Sequence, residues 1–166
     1  MHGFQLWVNL PRRDKMIEPR YQEIPAAQIP EAESRDGLAQ VRVIAGEAMG
    51  RRAVIDTRTP IFYLHFRLRP GASVVQSAPA DQNVFAWVFS GEALFGSEKR
   101  PVGPGKMLIF ERDGDEVTIF TNESPAELLL IGGVPLREPI ARAGPFVMNT
   151  REEVLQAFED FQAGRF

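Results

Sequence analysis

Between Ile61 and Leu68 the chain reads IFYLHFRL. Phe62, Leu64, Phe66 and Leu68 fall in one phase, and Tyr63, His65 and Arg67 in the other. Successive strand side chains point to opposite faces, so a period of two over this length specifies a strand with one apolar face. Pro70–Gly71 then supplies a turn. The same grammar recurs along the chain. Val41–Ala45, Ala53–Thr57, Val84–Phe89, Ala93–Phe95, Met107–Phe110, Val117–Phe120 and Ala126–Ile131 are short apolar runs. Between several of them stand the turn formers Ser90–Gly91–Glu92, Gly103–Pro104–Gly105, Asp113–Gly114 and Asn122–Pro125. Strands of this length, spaced by roughly 8–12 residues, predict an all-β antiparallel barrel or sandwich. Val84–Phe89, VFAWVF, is apolar in both phases, which predicts burial between layers.

The ends of the chain differ from this pattern. Residues 2–10, HGFQLWVNL, read as a strand-like apolar run. In residues 11–36, Pro11, Pro19, Pro25 and Pro30 exclude a helix or a central strand. Ile17, Tyr21, Ile24 and Ile29 give this crossing segment apolar anchors. Near the C-terminus one helix is expected. Thr150 is placed to cap it, with Glu153 three residues on to complete a capping box, and Gly164 ends it. Val154, Leu155, Phe158 and Phe161 are expected on its apolar face, covering the barrel or a partner.

Composition removes several classes of function. At 166 residues the chain is large enough for one domain with its own core. With no Cys there is no disulfide, thiolate metal site or Cys nucleophile. Two His, His2 and His65, do not furnish a multi-His metal centre. A net charge of −3 leaves no electrostatic footprint for nucleic acid or an anionic membrane. No run approaches the ~20 apolar residues of a membrane span. Arg12–Arg13 follows the first apolar run instead of preceding it, so no signal peptide is expected and the cytoplasm is the expected compartment.

Few residues carry candidate chemistry. Tyr63, His65 and Arg67 share a phase; facing a cavity they would bind a polar or anionic small molecule, and facing solvent they are the outer side of a strand. Gly103–Gly105 lacks the Gly-Lys-Ser/Thr of a phosphate loop. Ser90 lacks a nucleophile elbow. Glu111–Glu116 is expected to be a solvated hairpin end, and His2 has no acid or second His nearby. Trp7, Trp87 and the Phe residues read as core or interface, because no basic patch accompanies them.

The strand and turn order resembles that of cupin jelly rolls. RPGASVVQSAPADQNVFAWVFSG is similar to the first cupin motif and VGPGKMLIFERDGDEVTIFTN to the second. In metal-binding cupins the first motif carries two His and a Glu, and the second one more His. Here Val74–Val84 holds no His or Glu, Asp81 alone being able to ligate, and the acids of the second motif flank a turn. Three further segments are more distinctive: HGFQLWVNLPRRDKMIEPRYQEI, RTPIFYLHFRL and IGGVPLREPIARAGPFVMNTREEVLQAFEDF. Together, from His2 to Phe161, they resemble the pirin family.

That resemblance implies a two-cupin protein of which this chain is the later half. Residues 1–36 are then a leftover strand and crossing segment from an N-terminal cupin. Residues 37–166 are the C-terminal cupin, with its closing helix at about 151–163. Family members hold one non-haem iron through three His and a Glu of the N-terminal cupin. None of those positions falls in this chain, so no metal ligand, catalytic residue or cofactor is expected here, and iron only with the N-terminal cupin. The family's activities are ring opening of the quercetin 2,3-dioxygenase type and partner roles in transcriptional and metabolic regulation. For this chain the expectation is a non-catalytic binding or structural module; the alternative is a quercetin 2,3-dioxygenase of the pirin type, or a transcriptional or metabolic regulator, when combined with a His-rich N-terminal cupin. Its expected partners are a second copy, a complementary cupin half or another protein, engaged through Phe4, Leu6, Trp7 and Val8.

Overall fold

The computed structural model describes residues 3–165, so His2 lies outside the described residues. The strands are β1 (Glu31–Glu33), β2 (Ala39–Ala45), β3 (Glu47–Ala48), β4 (Arg51–Arg52), β5 (Ile61–Leu68), β6 (Ser73–Ser77), β7 (Asn83–Gly91) and β8 (Ala93–Phe95). They continue as β9 (Arg100–Val102), β10 (Lys106–Ile109), β11 (Glu116–Phe120), β12 (Ala126–Gly133), β13 (Ala141–Ala143) and β14 (Phe146–Met148), followed by helix α1 (Arg151–Gln162). The chain divides into two compact units. One is Tyr21–Pro135; the other joins the segment ending at Arg20 to the segment beginning at Leu136.

In the unit Tyr21–Pro135, a six-stranded sheet runs β1-β2-β5-β12-β7-β10 and a four-stranded sheet β6-β11-β8-β9. Their pairings are antiparallel. The alternation of β5 is kept: Phe62, Leu64, Phe66 and Leu68 are buried, Tyr63 and His65 half-buried and Arg67 exposed. Register carries that phase across the sheet. Phe66 opposes Leu128 of β12 and Val41 of β2, and Leu64 opposes Leu130 and Val43. Val74 of β6, Ala93 and Phe95 of β8, and Val117 and Ile119 of β11 join the same core from the smaller sheet. The architecture is the expected cupin jelly roll, but its two sheets do not close into a barrel.

Two glycines fix close approaches. A Cβ on Gly132 would lie 2.4 Å from Cζ of Phe62, so the ring occupies the space a side chain would need. Gly91 has φ +68°, and a Cβ there would meet the Pro125 carbonyl oxygen at 1.9 Å. Only glycine takes that backbone conformation without strain and also allows this approach.

Two expected strands are absent. Ala53–Thr57 is irregular; Ala53 N–H donates to the Gly46 carbonyl at 2.9 Å and closes the β3–β4 hairpin instead. Residues 3–10 form no ladder, because an apolar run becomes a strand only beside a free edge in register. Conversely β1, β6, β9 and the β13–β14 hairpin are strands without a long alternating signal.

In the other unit, α1 packs on β13 and β14. Its start is the expected capping box: Glu153 N–H donates to Thr150 Oγ1 at 3.2 Å, and Thr150 N–H to Glu153 Oε2 at 3.0 Å. Val154 and Ala157 are buried, and Phe158 meets Phe146 edge-on at 4.9 Å. Leu155 and Phe161 are each 64% exposed, so the buried stripe excludes both, contrary to the expected apolar face, although the Phe161 ring lies 6.1 Å from that of Phe146. No helix among the described residues is long and apolar enough to cross a membrane.

Candidate functional site

Tyr63, His65 and Arg67 lie on the outer face of the six-stranded sheet, opposite the core. β12 brings Glu127 across from Arg67, and its carboxylate reaches both neighbours. His65 Nε2 is 3.0 Å from Glu127 Oε2, and Arg67 Nε is 3.6 Å from the same atom. On the other side, Arg67 donates to Gln40 at 3.4 Å, and Arg42 pairs with Glu31 at 2.7 Å. Phe89 of β7 packs its ring 5.5 Å from His65. Burial holds the His65 pKa below its usual value, outweighing the hydrogen bond to Glu127 that raises it. Desolvation also raises the Tyr63 pKa.

Charge across this face is therefore internally matched, and the network acts as a cross-strand clasp joining β1, β2, β5 and β12. None of the three residues lines any of the cavities described below.

A cavity of about 670 Å³ in the same unit has Arg52, Asp56, Phe62, Gln76 and Gln82 among its walls. Gln76, on β6, is the buried polar residue in the first cupin motif. Its Nε2 is engaged by the carbonyls of Glu47 at 3.1 Å and Ser77 at 3.2 Å. Around it, the inward positions of the two motifs include Val74, Ala78, Val84, Val117 and Ile119, and the buried Thr121 hydroxyl donates to the Arg69 carbonyl. A non-haem iron needs several converging imidazole and carboxylate donors. Hydrocarbons, the Gln76 and Gln82 amides and one hydroxyl do not fit it. Among the described residues, no group of three or more His, Asp and Glu converges. Asp81 is exposed, as is the acidic run Glu111–Glu116.

The second unit carries a cluster that sequence reasoning did not assemble. The LPRRDK segment is sewn to the PLREPI and MNTREE segments by side chains. Lys15 Nζ donates to Asn9 Oδ1 at 2.6 Å and to the Val147 carbonyl at 3.0 Å. Arg12 N–H donates to Glu138 at 2.8 Å, and its guanidinium to Glu153 at 2.9 Å. Asn149 donates to the same Glu138 at 3.1 Å and to the Pro139 carbonyl at 2.9 Å. Burial lowers the Lys15 pKa, opposed by Glu138 and Glu153. Beside this cluster lies an apolar groove of about 390 Å³, lined in part by Trp7, Val8, Leu10, Met16, Phe146 and Met148. Of the expected interface residues, Phe4, Trp7 and Val8 are exposed, Trp7 by 74%, and Leu6 is half-buried.

Stacked antiparallel sheets in this order, with both motif turns in place, define a cupin domain. The sequence model of the pirin C-terminal cupin domain matches residues 63–166. Pirin from Homo sapiens is 43% identical over 165 residues, covering 97% of this chain and 56% of its own length. A pirin-like protein from Solanum lycopersicum is also 43% identical, covering 98% of this chain and 56% of its own. A crystal structure of quercetin 2,3-dioxygenase from Acinetobacter baumannii superposes with a TM-score of 0.87 at 32% identity, over 96% of this chain and 55% of that one. The chain belongs to the pirin family, and spans about half the length of the relatives it matches.

Proposed function

We propose that this chain is the metal-free, non-catalytic cupin half of a pirin-type protein, a structural and binding module for a His-rich cupin half. One observation carries this reading: the inward side chains of the two cupin motifs include Val74, Ala78, Val84, Val117 and Ile119, which are hydrocarbon, and Gln76, whose amide is held by backbone carbonyls. A dioxygenase needs a metal with open coordination positions to bring oxygen and substrate together. The sewn termini and the exposed Trp7 groove support a partner-binding role, with Phe4, Leu6, Trp7 and Val8 on the contact side.

The second reading is a quercetin 2,3-dioxygenase of the pirin type, favoured by the likeness to the Acinetobacter baumannii enzyme. A flavonol-turnover assay on the purified chain, supplied with Fe(II) or Mn(II), separates the two. The expected result is no consumption above the metal-only rate. Sustained turnover by the chain alone would overturn the first reading.

A further inference from the structure

The six-stranded sheet ends at β10, and beyond the charged network on β1, β2, β5 and β12 the part of its outer face next to that edge is apolar. Met107 and Ile109 lie in the outward phase, 55% and 76% exposed. Across the ladder they oppose Trp87 and Phe85 of β7, which in turn oppose Leu129 and Ile131 of β12. Gly105 N–H donates to Val88 and Phe110 N–H to Val84. Hydrogen-bonded pairs alternate along an antiparallel ladder, so the N–H and C=O groups of Met107 and Ile109 face away from β7. The edge therefore presents unpaired backbone groups beside exposed apolar side chains, which is a template for strand addition.

Charge selects the occupant. Lys106 stands at the start of β10, and the segment leaving its end carries Glu111, Asp113 and Asp115 against Arg112. An identical strand laid antiparallel sets the acidic end of one copy against the basic end of the other, twice. The register centred on Leu108 opposes Met107 to Ile109 of the second copy, so all the outward backbone groups find partners. We infer that β10 is a two-fold pairing edge for a second copy of this chain, continuing the six-stranded sheet across the dimer axis. Such a contact is isologous, as two-fold interfaces are. Its four-residue strand falls below the roughly 1,200 Å² of a standard interface, so the dimer is weak and concentration-dependent.

Sedimentation velocity from about 10 µM to about 1 mM, where an interface of this size associates, tests the inference. Dimer is expected to accumulate toward the upper end. Ile109→Lys and Met107→Pro should each weaken association at least tenfold; Trp7→Ser should leave it unchanged. Both β10 positions are exposed and neither substitution removes a hydrogen bond to β7, so both variants should stay folded and melt cooperatively. Hydrogen exchange on the unmodified chain should show the Met107 and Ile109 amides gaining protection with concentration. A monomer at every concentration overturns the inference. So does a dimer indifferent to both β10 substitutions, one lost in Trp7→Ser, or one that leaves those two amides unprotected.

Discussion

Truncating Phe66 tests whether the interior between the sheets is a filled core or a space for a ligand. Phe66 sits mid-strand in β5 with no exposed surface, and its register partners Leu128 and Val41 are equally inaccessible. Removing a ring there forfeits its transfer free energy and leaves a cavity that flanking strands cannot collapse without breaking ladders. Phe66→Ala should therefore cost about 3–5 kcal/mol. Domains of this size have about 5–15 kcal/mol in total, so the variant loses a large share of its stability. At about 2–4 °C per kcal/mol, melting should fall by about 6–20 °C. The neighbouring Arg67→Ala is the internal control. Arg67 points outward and its 3.6 Å contact with Glu127 is solvent-exposed, so its loss should cost under about 1 kcal/mol. Urea unfolding followed by circular dichroism reads both. If Phe66→Ala costs less than about 1 kcal/mol, or Arg67→Ala costs as much as Phe66→Ala, the assignment of faces on β5 and the filled core are both refuted.

Two other substitutions probe the sheet's outer face and the helix. Because burial holds the His65 pKa below 6.5, the unfolded chain binds the proton more readily; stability is full above about pH 6.5 and falls as pH drops below it. His65→Gln should flatten that part of the stability profile in urea titrations at pH 5 to 8, and an unchanged slope would show that His65 is not the group responsible. Thr150→Ala removes the hydroxyl that accepts from Glu153 N–H and should cost about 1 kcal/mol by thermal melting, whereas Thr150→Ser should retain most of the stability.

What could be read in advance follows a physical line. The β5 alternation, the turns at Gly91 and Gly105, and the Thr150–Glu153 capping box are local: each is decided by residues a few positions apart. They predicted β5, β7, β12 and α1 nearly to their ends. The errors fall where structure depends on a distant partner. Residues 3–10 look like a strand but meet no free edge in register, and Ala53–Thr57 is displaced by the β3–β4 hairpin closing on Gly46. The short β1 and β9 are strands only because β2 and β8 offer partners. At the candidate site, the phase of Tyr63, His65 and Arg67 was legible, but Glu127 was not, since 62 positions separate it from His65. The meeting of Arg12 and Lys15 with Glu138, Asn149 and Glu153 was equally hidden. Only the resemblance, which drew on both ends of the chain, pointed to those segments together.

The proposed function turns on the absence of an iron centre from this chain. Its most direct test is the metal content of the purified chain, measured by inductively coupled plasma mass spectrometry after anaerobic incubation with excess Fe(II) and desalting. A hydrocarbon interior with no converging His, Asp and Glu among the described residues predicts iron far below one equivalent per chain, unchanged by Gln76→Ala. Iron approaching one equivalent and surviving desalting would contradict the account.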